Sequence, residues 1–181
     1  ALVCGTRGRW FEPTLLYQIM TKEKNNKPSK ELPLGFVDRK EKELLIRDFI
    51  ISNIKEVMIM YGFRYLETPS FEYSDSIGKF LPDKDRPDEG VFSFKDESKW
   101  LSLRYDLTAP LARYVAKNYL EIPKPFKRYQ LGTVWRNEKP GPGRFREFLQ
   151  FDADYVGTKN LQADAELCIL ILEILERCGL S

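Results

Sequence analysis

The sequence contains no histidine among its 181 residues. This absence excludes Ser–His and Cys–His nucleophilic pairs, imidazole general bases and histidine-ligated metals built from this chain alone. Chemistry carried out by these residues must therefore depend on arginines, carboxylates and backbone groups.

Cysteines, long apolar runs and net charge are also scarce. Cys4, Cys168 and Cys178 are widely spaced and form no Cys-x-x-Cys pair, which favours reduced thiols over disulfides or a zinc site. No apolar stretch approaches the ~18 residues that span a bilayer, and the N-terminus lacks a clean signal-peptide core. The formal net charge is only +2, so any contact with a polyanion must be local. We expect a cytoplasmic protein with no membrane contact.

Composition divides the chain into an N-terminal arm and one folded domain. Residues 1–19 have no clear periodicity and precede Met20, which indicates a non-native leader; a native extension packed on the domain is the alternative. Residues 20–31 are polar and rich in lysine, which is typical of a disordered arm. Residues 32–181 are long enough for one domain with a sizeable core.

The order of predicted elements is typical of an α+β fold with an antiparallel sheet flanked by helices. Apolar spacing predicts a first helix that ends at Gly62, and Thr108 is the predicted N-cap of a second. The segments FKRYQLGTVWRNE and RFREFLQFDADYVG alternate as strands on either side of a KPGPG loop. Residues 160–180 predict a largely buried helix whose glutamates form one exposed stripe.

The two long strands place polar and aromatic side chains on one predicted polar face. Its members are Arg136, Glu138, Arg146, Phe148, Gln150, Asp152 and Asp154. The strand before the second helix repeats the pattern with Ser102, Arg104, Asp106 and Thr108, so three strands would contribute. A solvated sheet face is the alternative. Arginine outnumbers lysine on this face, however, and arginine suits bidentate recognition of phosphate and carboxylate. We therefore predict a cavity for a phosphate-rich, carboxylate-bearing ligand.

These segments have counterparts in a known family. FKRYQLGTVWRNEKPGPGRFREFLQFDADYVG resembles motif 2 of class II aminoacyl-tRNA synthetases, in the form that histidyl-tRNA synthetases use. LSLRYDLTAPLARYVA resembles the preceding amino-acid-binding segment, and IKEVMIMYGFRYLETPSFEYSD resembles motif 1. The resemblance implies that residues 32–181 are a partial class II catalytic domain, truncated before motif 3. It also implies a homodimer formed through the motif 1 region.

The resemblance assigns four residues to ATP. Arg136 would be the catalytic arginine that holds the α-phosphate and the substrate carboxylate. Glu138 would bond the adenine amino group, Phe148 would stack on the adenine, and Arg144 would reach the γ-phosphate. Mg²⁺ would bridge the phosphate oxygens, and no residue of the chain is assigned as a metal ligand.

Four further residues would bind the amino acid. Asp106, Thr108, Gln150 and Asp154 would hold the ammonium group and the side chain of histidine. The implied reaction forms histidyl-adenylate and pyrophosphate from histidine and ATP, and then transfers the histidyl group to tRNA(His). Many family members have Gln in the motif 2 loop where this chain has Gly141, so the reading of the tRNA acceptor end is not implied.

The sequence stops at Ser181, before the family's second histidine motif, motif 3 and the anticodon-binding domain. We therefore expect no ATP–pyrophosphate exchange from these residues alone. The alternative function is the regulatory subunit of ATP phosphoribosyltransferase, a synthetase-like protein of histidine biosynthesis that needs no ATP-gripping residues. A third reading, a degenerate interaction module, predicts erosion of the polar face, which the sequence does not show.

Overall fold

The computed structural model describes residues 30–76 and 90–180. The chain divides into two compact units, Ala1–Leu34 and Gly35–Ser181. The predicted leader and almost all of the predicted arm lie outside the described residues. Residues 30–34 of the first unit contain no helix or strand.

The described part of the second unit combines three α-helices with six β-strands, which confirms the predicted α+β class. The helices are α1 (Glu41–Met60), α2 (Thr108–Asn118) and α3 (Gln162–Arg177). The strands are β1 (Arg64–Tyr65), β2 (Phe71–Tyr73), β3 (Ser93–Asp96), β4 (Lys99–Leu103), β5 (Phe126–Trp135) and β6 (Glu147–Val156). No helix within the described ranges has the length and apolar character needed to cross a membrane.

The strands form two three-stranded sheets. One has the order β1–β5–β6, and the other has the order β2–β4–β3. β5 and β6 are the predicted antiparallel strands, paired without interruption from Phe126 opposite Val156 to Trp135 opposite Glu147. β1 adds to β5 in parallel. Because side chains alternate along a strand, this hairpin has an apolar face of odd-numbered residues and a polar face of even-numbered residues.

The apolar face packs against α1 and α3, as the alternation predicts. The buried members of this core are Ile54, Val57, Met58, Phe63, Tyr129, Leu170 and Ile174, and Leu131, Phe151, Ala153 and Tyr155 pack against them. Burying one such aliphatic side chain stabilises the fold by about 1.5–3 kcal/mol. Gly62, with φ +75°, ends α1 as predicted, since a residue with a Cβ rarely adopts that conformation. This core supports the polar face from behind.

The prediction that the last helix is largely buried is wrong. Within α3 only Leu170 and Ile174 are buried, whereas Ile171 and Leu172 are more than half exposed. α3 has apolar side chains on most of its sides, but α1 and the sheet contact only one stripe of it. The glutamates also differ from the prediction, because Glu166 is half-buried and its carboxylate lies 2.6 Å from Nζ of Lys127.

The prediction that three strands contribute to the polar face is confirmed only in part, because Arg104 and Thr108 reach it from the segment after β4 and not from a strand. β4 pairs with β2 and β3 instead of β5 or β6. Ser102 is fully buried, and its hydroxyl lies 2.7 Å from each of the hydroxyls of Ser74 and Ser93 instead of contacting the residues of the β5–β6 hairpin. Alternation determines which side chains share a face of one strand, but it does not determine which sheet the strand joins.

Candidate active site

The polar face of the β5–β6 hairpin is bordered by the segment that leads into α2. Its cross-strand pairs are Val134 with Phe148, Gly132 with Gln150, Gln130 with Asp152 and Arg128 with Asp154. The backbone N–H of Trp135 donates to the carbonyl of Arg104 at 3.1 Å. The buried guanidinium of Arg104 donates to the carbonyls of Thr133 and Thr68 at 2.7 and 2.8 Å. The residues after β4 are thereby attached to β5 without being a strand of its sheet.

Arg136 lies where β5 ends, and its guanidinium is held between two aromatic rings. Its Cζ is 4.6 Å from the ring centroid of Tyr105 and 5.0 Å from that of Phe148. Its Nη2 donates to Oε1 of Gln150 at 3.4 Å, and its Nε donates to the carbonyl of Tyr105 at 3.5 Å. Aromatic faces attract cations. The two rings and the hydrogen bond to Gln150 therefore fix the guanidinium at this end of the polar face.

A second cluster surrounds Glu138. The hydroxyl of Tyr105 donates to Oε1 of Glu138 at 2.5 Å, and Arg144 forms an ion pair with Oε2. The hydrogen bond from Tyr105 lowers the pKa of Glu138, and Arg144 lowers it further against the opposing effect of burial. Arg146, predicted on the polar face, instead donates from Nε to the carbonyl of Glu138 at 2.8 Å and stacks on Phe92, with its Cζ 6.0 Å from the ring centroid.

The start of α2 brings Asp106 and Thr108 to the edge of the polar face. Oδ1 of Asp106 accepts from the backbone N–H groups of Thr108 and Ala109 at 3.0 and 2.9 Å. The prediction that Thr108 caps this helix is therefore wrong, because the capping oxygen belongs to Asp106. The backbone at Leu107 is already in the right-handed helical region, so Thr108 lies inside the first turn.

Gln150 and Asp152 connect these groups across β6. Nε2 of Gln150 donates to Oδ1 of Asp152 at 2.9 Å, while its Oε1 accepts from Arg136. Oδ2 of Asp152 is 3.5 Å from the hydroxyl of Thr108. The predicted residues Arg136, Gln150 and Thr108 thus belong to one network that runs through Asp152.

Asp154 lies at the far end of the polar face, beside Arg128. Nη2 of Arg128 is 3.0 Å from Oδ2 of Asp154, and Arg128 has no exposed surface. Burial raises the pKa of the Asp154 carboxyl, the charge of Arg128 opposes this rise, and Asp152 adds to it. The site therefore separates a cationic end at Arg136 from an acidic end at Asp152 and Asp154.

The carboxylates of the site do not by themselves fit Mg²⁺. Within the ranges 30–76 and 90–180, no three Asp, Glu, Cys or His residues are grouped so that they would hold a metal ion. Asp106 and Glu138 are each engaged by hydrogen bonds within the protein. These residues therefore do not form a metal centre of their own.

Two contributors to the site were not found from sequence. Alternation along the segment that contains β4 would place Tyr105 on the apolar side with Leu101 and Leu103, but β4 ends at Leu103 and its alternation no longer applies at Tyr105. Arg128 is not among the residues predicted on the polar face. The same alternation, counted back along β5 from Arg136, places Arg128 on the polar face and would have found it.

Comparisons with known proteins show the family to which the chain belongs. The family model described as Histidyl-tRNA synthetase matches residues 35–181. The histidine–tRNA ligase of Brucella ovis is 57% identical to the chain over 160 residues, and that of Bartonella quintana is 57% identical over 157 residues. These matches cover 88% and 86% of the chain but 32% of each relative. The chain thus spans about a third of the length of the curated relatives it matches.

Solved structures agree as well. The histidyl-tRNA synthetase of Nostoc sp. PCC 7120 superposes with a TM-score of 0.68 at 32% identity, covering 82% of this chain and 34% of that one. A Bacillus halodurans protein, described as an ATP phosphoribosyltransferase regulatory subunit/histidyl-tRNA synthetase, gives a TM-score of 0.73 at 29% identity, covering 86% and 40%. From the family match and these relatives, the chain belongs to the histidyl-tRNA synthetase family of class II aminoacyl-tRNA synthetases.

Proposed function

We propose that this chain carries part of the catalytic domain of a histidine–tRNA ligase. The full-length enzyme would activate histidine with ATP to form histidyl-adenylate, and would then transfer the histidyl group to tRNA(His). The 181 residues alone are expected to be inactive, because they span about a third of the related ligases.

The observation that carries the proposal is the position of Arg136. Its guanidinium is fixed by Tyr105, Phe148 and Gln150 at one end of the polar face, and the carboxylates of Asp152 and Asp154 lie toward the other end. A cation held in place before the substrate binds stabilises charge that develops in a transition state without reorganising. Arg136 would hold the α-phosphate of ATP and the carboxylate of histidine, which makes it the catalytic residue.

Binding of ATP would use the cluster around Glu138. Glu138 would accept from the adenine amino group, and Phe148 would stack on the base with the ring face that does not contact Arg136. Arg144 is 66% exposed and paired with Glu138, so it would leave this carboxylate to reach the γ-phosphate. Mg²⁺ would arrive with the phosphates of ATP and neutralise part of their charge. The described residues form no metal centre, so no step is assigned to the ion.

Binding of histidine would use the acidic end of the polar face. Asp106, Thr108, Gln150 and Asp154 would hold the ammonium group and the imidazole. Carboxylates suit a cationic ammonium group, and the carboxylates of Asp152 and Asp154 are close enough to each other to affect the pKa of Asp154. An amino acid bound this way would have its carboxylate directed toward Arg136.

The reaction needs no protein nucleophile. A carboxylate oxygen of histidine forms a bond to the α-phosphorus of ATP, and the bond from this phosphorus to the oxygen of the leaving pyrophosphate breaks. Alignment of the two substrates and stabilisation of charge are sufficient for phosphoryl chemistry of this kind. The absence of histidine from the sequence is therefore compatible with the activity.

Homodimerisation and a cytoplasmic location are part of the same proposal. Exposed apolar residues of α1, among them Leu45, Ile46 and Phe49, give this helix a surface suited to a second copy of the chain. Large exposed apolar patches commonly mark such contacts. The resemblance to motif 1 supports the homodimer. The family relationship supports the location, since tRNA charging serves protein synthesis in the cytoplasm.

The regulatory subunit of ATP phosphoribosyltransferase is the second candidate, because the description of the Bacillus halodurans protein includes that function as well. The curated relatives from Brucella ovis and Bartonella quintana are named as ligases, and each shares 57% identity with the chain. This higher identity favours the ligase.

The test is Arg136→Ala in a full-length enzyme whose residues 35–180 are those of this chain. We expect histidine-dependent ATP–pyrophosphate exchange to fall by about a hundredfold or more, which is the usual cost of losing a charge-stabilising donor. Lys159→Ala, which removes an exposed cation between β6 and α3, is the matched control and should retain activity. An Arg136→Ala enzyme as active as this control would refute the site assignment.

A further inference from the structure

Arg128 is a buried cation on the polar face, and none of the proposed binding roles uses it. Its side chain has no solvent exposure, and β5 places it directly opposite Asp154. Burial of a charged group is costly unless partners compensate for the lost hydration. Its partners therefore indicate why an arginine stands at this position.

One nitrogen of Arg128 connects two elements of the site. Nη2 donates to the carbonyl of Leu107 at 3.0 Å and lies 3.0 Å from Oδ2 of Asp154. Leu107 stands between Asp106 and Thr108, so this nitrogen links the start of α2 to β6. Within the described residues, Nε of Arg128 and Oδ2 of Asp154 have no hydrogen-bond partner, although both are buried. The pair is thus held by charge and by the Leu107 carbonyl.

We propose that Arg128 is a positioning residue for the amino-acid half of the site, which keeps Asp154 at a constant distance from Asp106 and Thr108. The inference rests on the proposed function, because it assigns Arg128 to the pocket for histidine. Arg128 lies beside the carboxylate of Asp154 and contacts no ATP-binding residue assigned above. Its effect is therefore specific to histidine and does not extend to ATP.

The charges around Arg128 add a consequence for pH. Asp152 raises the pKa of Asp154, and Arg128 lowers it, while Asp106 is a further carboxylate near the guanidinium. Without Arg128, only burial and the charge of Asp152 act on the Asp154 carboxyl, and both raise its pKa. The pKa of Asp154 therefore rises further. A larger fraction of Asp154 is then neutral at a given pH. The acid limb of histidine binding consequently moves to higher pH.

The test is Arg128→Met in the same full-length enzyme, with ATP–pyrophosphate exchange measured against both substrates over a range of pH. We expect KM for histidine to rise on the order of tenfold to a hundredfold, as for other displaced binding groups. KM for ATP should change by less than about twofold, and the acid limb should shift upward. Lys127→Met is the matched control, since Lys127 is the adjacent cation on the opposite face and donates to Glu166. It should alter thermal stability but neither KM for histidine nor the pH profile.

Arg128→Lys tests the inference if the Met variant does not fold. Lysine retains the buried charge, but its single ammonium group on a flexible side chain does not hold Leu107 and Asp154 as the planar guanidinium does. We therefore expect a raised KM for histidine in this variant as well. An unchanged KM for histidine in a folded variant, or equal changes for both substrates, would overturn the inference. A wild-type enzyme without histidine-dependent exchange would instead refute the proposed function.

Discussion

An added methyl group at Gly132, in the middle of β5, should destabilise the fold. It pairs with Gln150 on the polar face, beneath the side chain of Arg104. A Cβ at Gly132 would lie 2.5 Å from Nη2 of Arg104, 3.0 Å from its Cζ and 3.2 Å from Cδ2 of Leu107. The Gly132→Ala substitution therefore requires a buried guanidinium to move.

The loss of stability expected from Gly132→Ala depends on the contacts that hold the Arg104 side chain. Its hydrogen bonds to the carbonyls of Thr133 and Thr68 fix the plane of the guanidinium, so it cannot rotate away from the methyl group without weakening them. A hydrogen bond from a charged group contributes about 1.5–3 kcal/mol, and overpacking a core costs about 1–3 kcal/mol. We expect the free energy of unfolding to fall by about 2–4 kcal/mol and Tm to fall by about 4–16 °C.

The assay is thermal and urea unfolding of the Gly132→Ala variant, followed by circular dichroism. Gly141→Ala is the matched control, because a Cβ at Gly141 meets no atom within 4 Å and its φ is not positive. Such a substitution should be neutral or stabilise by up to about 1 kcal/mol through the unfolded chain. If both alanine variants unfolded at the same temperature, the described packing of Arg104 against β5 would be refuted.

Two further substitutions test contacts around the site. Glu72→Gln weakens the two bonds that Arg113 makes at 2.6 and 2.8 Å, and should lower the free energy of unfolding in urea by about 1–3 kcal/mol; a loss no larger than that of the exposed Asp75→Asn would contradict this. Tyr105→Phe removes the hydrogen bond that most lowers the pKa of Glu138, so carbon NMR should find a raised pKa. Because the folded pKa of Glu138 is depressed, its contribution to stability is present above its unfolded pKa of about 4.3 and fades as pH falls through the folded pKa. An unchanged carboxyl titration would exclude that hydrogen bond.

The β5–β6 hairpin was predictable from sequence because its alternation is a local property of the strand. Gln150 and Asp154 point to one face and Phe151 and Tyr155 to the other in any regular strand. The end of the first helix at Gly62 was predictable for a similar reason, since backbone conformation there depends on one residue. The helix start near Thr108 was located correctly, but its capping oxygen was assigned to the wrong residue.

The burial of α3 and the partners of β4 were not predictable in the same way. An apolar helix such as α3 has several faces that would suit a core, and only its contacts with α1 and the sheet select the one with Leu170. β4 alternates as a strand of the polar face would, yet it pairs with β2 and β3. Both outcomes depend on contacts between segments far apart in the chain.

By itself the sequence determined the α+β class, the paired strands β5 and β6, and the polar residues that share a face, because each depends on the spacing of neighbouring residues. Only the tertiary structure decided that Tyr105 joins Arg136 to Glu138, and that Arg128 lies beside Asp154. Those contacts join residues about thirty positions apart in sequence, and they form only when strand register and helix placement bring the segments together. The sequence therefore determines which charged residues the site contains, and the fold determines the distances between them.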